Sequence, residues 1–506
     1  MHPIDRKIFL KFINKLYLTR AVICLREFCH KPDKTLRFLL CLNLFFILPA
    51  WAADVQEINQ GIEKIIAQFD EDLNLGIIVQ SMDSGEVIYK HNAQQLFTPA
   101  STFKLFTAYA ALSYLSPNYR YQTQLLTDAN TLPSQQTLNG NLYIKFTGDP
   151  ELKFAQLQQL FAPLANTKIR GAVLIDDTQF DQQGNALGWQ WDEQKSCYAA
   201  PISALILNHN CFSFNLVPAK HPGVLSHINS FGTPLFAAIS NTVMTSKAYC
   251  PLDLEISDSN LYQISGCITP RKSPLAIELA VTDPHSYGKS AITYLLQKYH
   301  IIAQGGISYQ KANDHLLLIN KIESRPLALL VKTMLKKSDN LIADSLFKTL
   351  GAIYYKQTGT WENSSKAMQQ ILANKTNIDF SKALIYDGAG LSRYTLVSPQ
   401  QFSLLLSAAY HDPVLADIFI AALPIAGIDG TLKYRMGKGS TLGNIHAKTG
   451  SLANTSALSG YLQTSHHEVL AFAIIINRFT GTMHKYHLLQ DKICQFLASI
   501  GSASAG

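Results

Sequence analysis

The sequence predicts an α/β (α+β) fold in which an antiparallel sheet flanked by helices is interrupted by a large β-rich insertion. Strand-like hairpins lie near both ends of the chain, helical periodicity accompanies them, and short strand-like runs fill the middle. The chain has 506 residues, 47% of them hydrophobic, which is enough for more than one core. We therefore expect one catalytic domain from residues 53–120 and 317–506, with an inserted β-rich region at 121–316.

The first 52 residues have the composition of a targeting segment. They hold 9 Lys and Arg against 3 Asp and Glu, so they carry six of the seven net positive charges of the chain. Arg37 precedes an apolar run at Phe38–Leu48, and Ala50-Trp51-Ala52 has the form of a signal-peptidase site. Residues 1–52 therefore predict export. A start codon upstream of the true one, or an uncleaved anchor, would also account for the long basic stretch before the apolar run.

The remaining residues are nearly neutral, with 34 Lys and Arg against 33 Asp and Glu. They show no basic stripe with interleaved aromatic residues, so we expect no nucleic-acid partner. No later segment is long and apolar enough to predict a membrane span, so we expect no integral membrane domain after signal removal.

Four of the eight cysteines cluster in the predicted insertion, which in an exported protein predicts two disulfides. Three pairings are possible, and we favour Cys197–Cys211 with Cys250–Cys267. A zinc site would need close pairs such as Cys-x-x-Cys, and none occurs, so we expect no metal. Cys494 lies in an apolar-periodic helix and is interpreted as a buried small hydrophobe.

The pattern along the chain also predicts the order of the helices and strands. A hairpin near the start precedes a helix that begins after Thr98, and short strands then continue to about residue 316. Helical periodicity returns after Pro326 and persists to about Leu350. The remaining predictions are helices near Ser365–Leu372 and Pro399–Tyr410, a hairpin of Ala457–Leu462 with Glu468–Ile476, and a helix near His484–Ile500.

Ser101 and Lys104 carry the first chemical signal. Thr98-Pro99-Ala100 leads into an Ala-, Leu- and Phe-rich run, so Ser101 falls in the first turn of a helix. Lys104 follows at i+3, on the same face. A serine with an amine one turn away is a nucleophile with a candidate base, although a capping serine and a solvated lysine would show the same spacing.

Two further motifs support the catalytic interpretation. Lys336-Lys337-Ser338-Asp339-Asn340 opens a helical run, and Ala447-Lys448-Thr449-Gly450-Ser451 precedes a strand-like stretch. Each alone also fits a helix cap or an exposed turn. Ser-x-x-Lys, Ser-Asp-Asn and Lys-Thr-Gly in that order are the signatures of the penicillin-recognising serine enzymes. The ordered triplet therefore predicts their transpeptidase-like catalytic fold.

The resemblance extends beyond these motifs. Along nearly all of its length after residue 52, the chain resembles the class C low-molecular-mass penicillin-binding proteins, the D-alanyl-D-alanine carboxypeptidase/endopeptidase family. Members are exported, and they trim or cleave the peptide stems of peptidoglycan. The supporting residues are Gly148-Asp149-Pro150, Gly188-Trp189-Gln190-Trp191, Ala200-Pro201-Ile202-Ser203-Ala204, Asp387-Gly388-Ala389-Gly390-Leu391-Ser392-Arg393 and the run Leu423–Leu432.

The resemblance implies roles for individual residues. Ser101 would be the acylated nucleophile and Lys104 its general base, while Ser338 and Asn340 would complete the proton relay and hold the substrate amide. Lys448 would face the terminal carboxylate of the substrate.

The resemblance also implies a substrate-binding set. Thr449, which would hydrogen-bond the terminal carboxylate, and Gly450 are the candidates for substrate binding, and Arg393 and Asp176 are candidates for gripping the amine-bearing end of the stem peptide. Asp176 also fits a plain turn residue. Ala389 and Ala453 stand where relatives often carry polar residues, which bears on side-chain specificity rather than on the reaction.

These residues predict a periplasmic serine DD-peptidase, soluble or loosely membrane-associated, that acts on peptidoglycan stem peptides. It would bind β-lactam antibiotics covalently and need no cofactor. A serine β-lactamase and a catalytically silent cell-wall scaffold are the alternatives. No His-Glu-x-x-His motif indicates a metallopeptidase, and His209, His466 and His467 are interpreted as loop histidines.

The chemistry sets one structural requirement. A free lysine has a pKa of about 10.4 and is protonated at neutral pH. To serve as a base it must lose that proton near pH 7–8, and burial together with repulsion from Lys448 would favour the loss. We therefore expect Lys104 to face inward.

Overall fold

The computed structural model describes residues 56–69, 73–133, 136–230, 234–257, 259–271 and 273–500. The predicted targeting segment at 1–52, with Cys24, Cys29 and Cys41, lies outside the described residues. Residues 56–66 form an N-terminal helix.

The central sheet joins the two ends of the chain. Its five strands are ordered β18-β19-β20-β1-β2, and every neighbouring pair is antiparallel. β19 and β20 are buried almost throughout, because the sheet is covered on both sides there. β18 lies at the sheet edge. The strands are β1 (Asn74–Ser81), β2 (Val87–His91), β18 (Ile445–Leu452), β19 (Thr455–Gln463) and β20 (Val469–Asn477).

Helices pack on this sheet and on one another. The two that follow the Ser101 turn and the Ser338 turn contact each other, and the last helix packs on β19. The buried faces of the first two of these helices belong to one core that also includes residues from β1, β19 and β20. The helices are α1 (Lys104–Leu115), α2 (Phe154–Phe161), α3 (Pro284–Lys298), α4 (Leu327–Lys337), α5 (Asn340–Tyr355), α6 (Trp361–Ala373), α7 (Pro399–His411), α8 (Ala416–Ala422) and α9 (Met483–Ser499).

The inserted region is rich in short strands, as predicted, and has a core of its own. Its largest sheet is ordered β16-β7-β5-β3-β17. The strands are β3 (Gln122–Thr127), β4 (Thr137–Leu138), β5 (Leu142–Lys145), β6 (Lys168–Ile169), β7 (Val173–Asp176), β8 (Cys211–Val217), β9 (His227–Asn229), β10 (Ala238–Asn241), β11 (Met244–Thr245), β12 (Leu252–Ile256), β13 (Leu261–Ile268), β14 (Leu275–Ala280), β15 (Ile302–Ala303), β16 (Ile307–Tyr309) and β17 (Leu317–Glu323).

The boundaries of the insertion differ from those drawn on the sequence. β17 pairs antiparallel with β3, so the sheet of the inserted region continues to Glu323 rather than ending at 316. Phe180, Trp189 and Ile202 pack in the core of the catalytic part instead of the core of the insertion. A segment of the inserted region therefore contributes directly to the catalytic part.

Two disulfides lie in the inserted region. Cys197 is bonded to Cys211 and Cys250 to Cys267, which are the pairs that the sequence analysis favours. Cys494 is fully buried in α9. Among the residues that the model describes, no helix is both long and apolar enough to cross a membrane.

The Cys250–Cys267 bond offers a test of the stability of the inserted region. Replacing both residues by Ser removes a cross-link between positions 17 apart, which in the chain-entropy model costs about 3 kcal/mol. We expect the urea midpoint of the unfolding of the insertion, monitored by circular dichroism, to fall accordingly. The oxidised wild-type protein is the control, and an unchanged midpoint would contradict the expected stabilisation.

Candidate active site

Ser101 and Lys104 lie where the chain enters α1. The entry is a 3-10 turn, Ala100–Phe103, and α1 begins directly at Lys104. The Ser101 side chain is therefore presented from a short tight turn rather than from the α-helix itself. Ser101 is partly exposed, whereas Lys104 is fully buried, as the sequence analysis required.

The Lys104 ammonium has three acceptors within hydrogen-bond distance. Nζ donates to Ser101 Oγ at 2.9 Å, to Asn340 Oδ1 at 2.6 Å and to the carbonyl oxygen of Ala389 at 2.8 Å. These partners come from the 3-10 turn before α1, from α5 and from the Asp387 loop. When Nζ loses a proton, the Ser101 hydroxyl becomes the donor across the same 2.9 Å, which is the geometry that general-base catalysis needs.

Burial makes this loss of a proton accessible near neutral pH. The low-polarity surroundings disfavour the ammonium and lower the pKa of Lys104 to about 8. The carboxylates of Asp344, Asp387 and Asp339 act in the opposite direction and limit the shift. Burial therefore has the larger effect, and Lys104 is poised between its two protonation states.

The Ser338 turn supplies the next two side chains. Ser338 has left-handed backbone geometry, with φ of 60°, and ends α4. Asp339 caps α5 by accepting a hydrogen bond from the Ile342 N–H at 3.0 Å. The two residues after Ser338 therefore have different roles. Asp339 caps α5, and Asn340 contacts Lys104.

Lys448 lies within β18, on the edge of the central sheet, rather than before a strand. It is fully buried, and its Nζ donates to Ser338 Oγ at 2.9 Å and to the Thr449 carbonyl at 2.6 Å. Burial and then the charge of Lys104 lower the pKa of Lys448 well below its usual range. The repulsion between the two lysines therefore acts on Lys448.

Gly450 allows β18 to lie directly against the Ser101 turn. A Cβ atom at this position would be 2.8 Å from the Pro99 carbonyl oxygen and 3.0 Å from the Thr102 nitrogen. Ala447 N–H points away from β19, to the Pro424 carbonyl, and strand alternation places Ser451 N–H on that same open side. The Ser101 and Ser451 N–H groups are therefore the candidate oxyanion donors.

A loop at Asp387–Gly390 forms the back of the site. Asp344 Oδ1 accepts hydrogen bonds from the Gly388 and Ala389 N–H groups at 2.7 and 2.9 Å, which fixes the carbonyl that Lys104 uses. Asp387 accepts from the Trp189 indole at 3.1 Å, so the Gly-Trp-Gln-Trp segment braces the loop. The alanine at position 389 departs from the family pattern, but it does not affect the hydrogen bond from Lys104, because that bond is made to the backbone carbonyl.

The two candidates for the stem-peptide end have different surroundings. Arg393 donates to the Ala453 carbonyl at 2.7 Å and to Gln190 Oε1 at 2.8 Å, beside the end of β18. Asp176 is buried, and it accepts hydrogen bonds from Thr178 and from the Ala312 N–H. The structure thus places Arg393 next to the end of β18, while the described contacts of Asp176 lie within the inserted region.

Two contacts from the inserted region escaped the sequence analysis. His209 Nε2 lies 2.9 Å from Asp339 Oδ2, and Asn340 Nδ2 donates to the Tyr198 carbonyl at 2.8 Å. His209 is therefore not the ordinary loop histidine that the sequence suggested. In the sequence, the one sign that the backbone at His209 is constrained is its position two residues before Cys211.

Comparisons with known proteins agree with this geometry. The model of the D-Ala-D-Ala carboxypeptidase 3 (S13) family matches residues 58–499. D-alanyl-D-alanine carboxypeptidase DacB of Haemophilus influenzae is 33% identical over 448 residues, covering 87% of this chain and 91% of that protein. A D-alanyl-D-alanine carboxypeptidase of Actinomadura sp. is 28% identical over 473 residues, covering 88% and 86%.

Solved structures give the same result for the fold. The crystal structure of penicillin binding protein 4 (DacB) from Haemophilus influenzae has a TM-score of 0.77 at 31% identity and covers 86% of this chain and 98% of that one. Its complex with a β-lactam has a TM-score of 0.72 at 30% identity, with the same coverage. The α/β fold expected from the motifs is confirmed.

The close approach at Gly450 yields a direct test. Gly450→Ala must push β18 and the Ser101 turn apart, which disturbs both candidate oxyanion donors. Losing one such donor typically costs about 10²–10³-fold in rate, and we expect a loss of that size in the acylation of Ser101 by a fluorescent penicillin. Gly437→Ala is the control, since its Cβ would meet only the Gly427 Cα, at 3.2 Å. Equal rates for the two variants would contradict the proposed donor arrangement.

Proposed function

The chain belongs to the D-Ala-D-Ala carboxypeptidase 3 (S13) family, and on this premise we propose that Ser101 is the residue through which it hydrolyses D-alanyl-D-alanine bonds. The protein is a serine-type D-Ala-D-Ala carboxypeptidase. The observation that carries the assignment of Ser101 is the 2.9 Å contact between its Oγ and the Nζ of a fully buried lysine.

In the acylation step, neutral Lys104 accepts the Ser101 hydroxyl proton while Oγ attacks the carbonyl carbon of the penultimate D-alanine. The bond from Oγ to that carbon forms as the peptide C–N bond breaks, and the proton passes to the leaving amine. Water then attacks the ester carbonyl carbon while Lys104 takes a proton from it. The bond from that carbon to Oγ breaks, and Lys104 passes the proton to Oγ, which restores both Ser101 and neutral Lys104. Both half-reactions balance without a cofactor.

The terminal carboxylate of the substrate accounts for the presence of two buried lysines in one site. Lys448 is driven towards its neutral form by burial and by Lys104. A carboxylate bound beside Lys448 and Thr449 would favour the ammonium again, because opposite charges stabilise each other most where water is excluded. Ser338, which accepts a hydrogen bond from Lys448, would connect this charge to the proton relay. The site thus favours substrates with a free terminal carboxylate.

The β-lactamase alternative needs a base that activates water on the acyl group. Asp344 and Asp387 are the carboxylates that act most strongly on Lys104, but both are fully buried and accept hydrogen bonds from backbone N–H groups. Neither carboxylate is placed to accept a proton from a water molecule at the acyl group. Intact Ser101, Lys104, Ser338, Asn340 and Lys448 argue against a silent scaffold.

We further propose that the protein is exported to the periplasm and acts on peptidoglycan stem peptides, including D-alanyl cross-links. Two disulfides support an oxidising compartment. A relative that has been solved with a β-lactam supports β-lactams as covalent inhibitors of this chain. Arg393, at the end of the substrate strand, and Asp176 remain the proposed contacts for the amine-bearing end of the stem.

Mass spectrometry tests the proposal. We expect incubation with penicillin to add one penicilloyl group to a peptide that contains Ser101, and Ser101→Ala to remove the adduct because the nucleophile is absent. Ser113→Ala, in the helix that follows the Ser101 turn, is the matched control and should keep the adduct. Digestion of purified peptidoglycan should release D-alanine and cleaved cross-links. A folded protein that gains no adduct at Ser101 would overturn the assignment.

A further inference from the structure

Three consecutive residues of the inserted region have left-handed backbone geometry. Asn208, His209 and Asn210 have φ of 51°, 65° and 46°. Asparagine and histidine adopt this conformation more often than most residues, and asparagine does so because its short side chain can hydrogen-bond to the local backbone. Backbone strain of this kind persists only where the surroundings impose it, and it clusters at functional sites.

The flanking asparagines hold the stretch in place. Asn208 Oδ1 accepts a hydrogen bond from the Phe154 N–H at 3.0 Å. The Asn210 amide group accepts from the Leu207 N–H at 3.1 Å and donates to the Pro201 carbonyl at 2.9 Å. The unfavourable geometry at His209 is therefore fixed from both sides.

The result of this geometry is a contact with the catalytic part. His209 Nε2 lies 2.9 Å from Asp339 Oδ2, while Asp339 Oδ1 caps α5. Burial alone would raise the pKa of Asp339, but the hydrogen bond and charge of His209 hold it below its usual range. Asp339 therefore remains an ionised carboxylate between Ser338 and Asn340.

The same loop makes a second contact with the motif. The Tyr198 carbonyl accepts a hydrogen bond from Asn340 Nδ2, and Tyr198 follows Cys197, which is bonded to Cys211. One disulfide-closed loop, residues 197–211, thus contacts both residues that follow Ser338. We call it the 197–211 loop.

We infer that His209 is a positioning residue for the reaction, and that the 197–211 loop of the inserted region completes the active site. By fixing Asp339, His209 sets the start of α5, which carries the amide that contacts Lys104. The Tyr198 carbonyl fixes the other end of the same amide. His209 and Tyr198 therefore act on catalysis through Asp339 and Asn340, an inference that rests on Ser101 being the acylated residue.

The test distinguishes loss of the side-chain contact between His209 and Asp339 from a change in the backbone conformation at position 209. His209→Asn keeps a residue that tolerates left-handed geometry, but its side chain is too short to reach Asp339. His209→Gln keeps a donor of nearly the length of histidine. His315→Asn is the matched control, since His315 is an exposed histidine with φ of 71° in the same region.

Stopped-flow acylation by a fluorescent penicillin should resolve the binding constant from the acylation rate constant. We expect H209N to lower the acylation rate constant by about 10²-fold, the usual effect of a displacement of about 1 Å in a catalytic group. Binding should change little, H209Q should recover most of the rate, and H315N should match the wild type. A merely structural role would lower the melting temperature of H209N and leave its acylation rate constant unchanged, which would overturn the inference.

If H209N does not fold, a double-mutant cycle between His209→Gly, which tolerates the left-handed backbone and removes the side chain, and Asp339→Asn decides the question. Coupling between the two changes in the acylation rate constant supports the positioning role, and additive effects contradict it. Failure of the wild type to be acylated at Ser101 would instead reject the proposed function, so the two failures are distinguishable.

Discussion

The burial of one ammonium group governs the rest of the site. Lys104 is fully enclosed and has three acceptors, of which only Ser101 Oγ belongs to a group that reacts. A solvated lysine at the same spacing would remain protonated and leave the serine inert. Every element that meets at Lys104, including α1, α5 and the Asp387 loop, therefore contributes to catalysis by excluding water from that amine.

The chain solves this packing problem with parts that are distant in sequence. Ser101 comes from a turn near the start, Lys448 from the edge strand β18 near the end, and Gly450 brings the two together. Trp189 braces the Asp387 loop from the inserted region. The insertion thus has its own core but also supports the site, which explains why its boundary is not a simple cut in the chain.

Much of this was predictable because short motifs encode local chemistry. The spacing of Ser101 and Lys104, together with the two later motifs, predicts the nucleophile and the proton relay, although Lys448 lies within β18 rather than before a strand. Contacts between distant segments leave no such local pattern, so the interaction of His209 with Asp339 and the continuation of the insertion sheet to Glu323 were not predicted. Repulsion from Lys448 was expected from the sequence to be among the causes of a neutral Lys104, whereas burial is the cause that lowers the pKa of Lys104 and the carboxylates around it oppose the shift.

The pH dependence of Ser101 acylation by a penicillin tests the central claim most directly. Lys104 accepts the serine proton only in its neutral form, so the rate should rise with pH as the ammonium loses its proton. With the pKa of Lys104 at about 8, the midpoint of that rise should lie near pH 8. A midpoint near the pKa of a solvated lysine, about 10.4, would contradict the account, because burial would then not be what makes Lys104 a base.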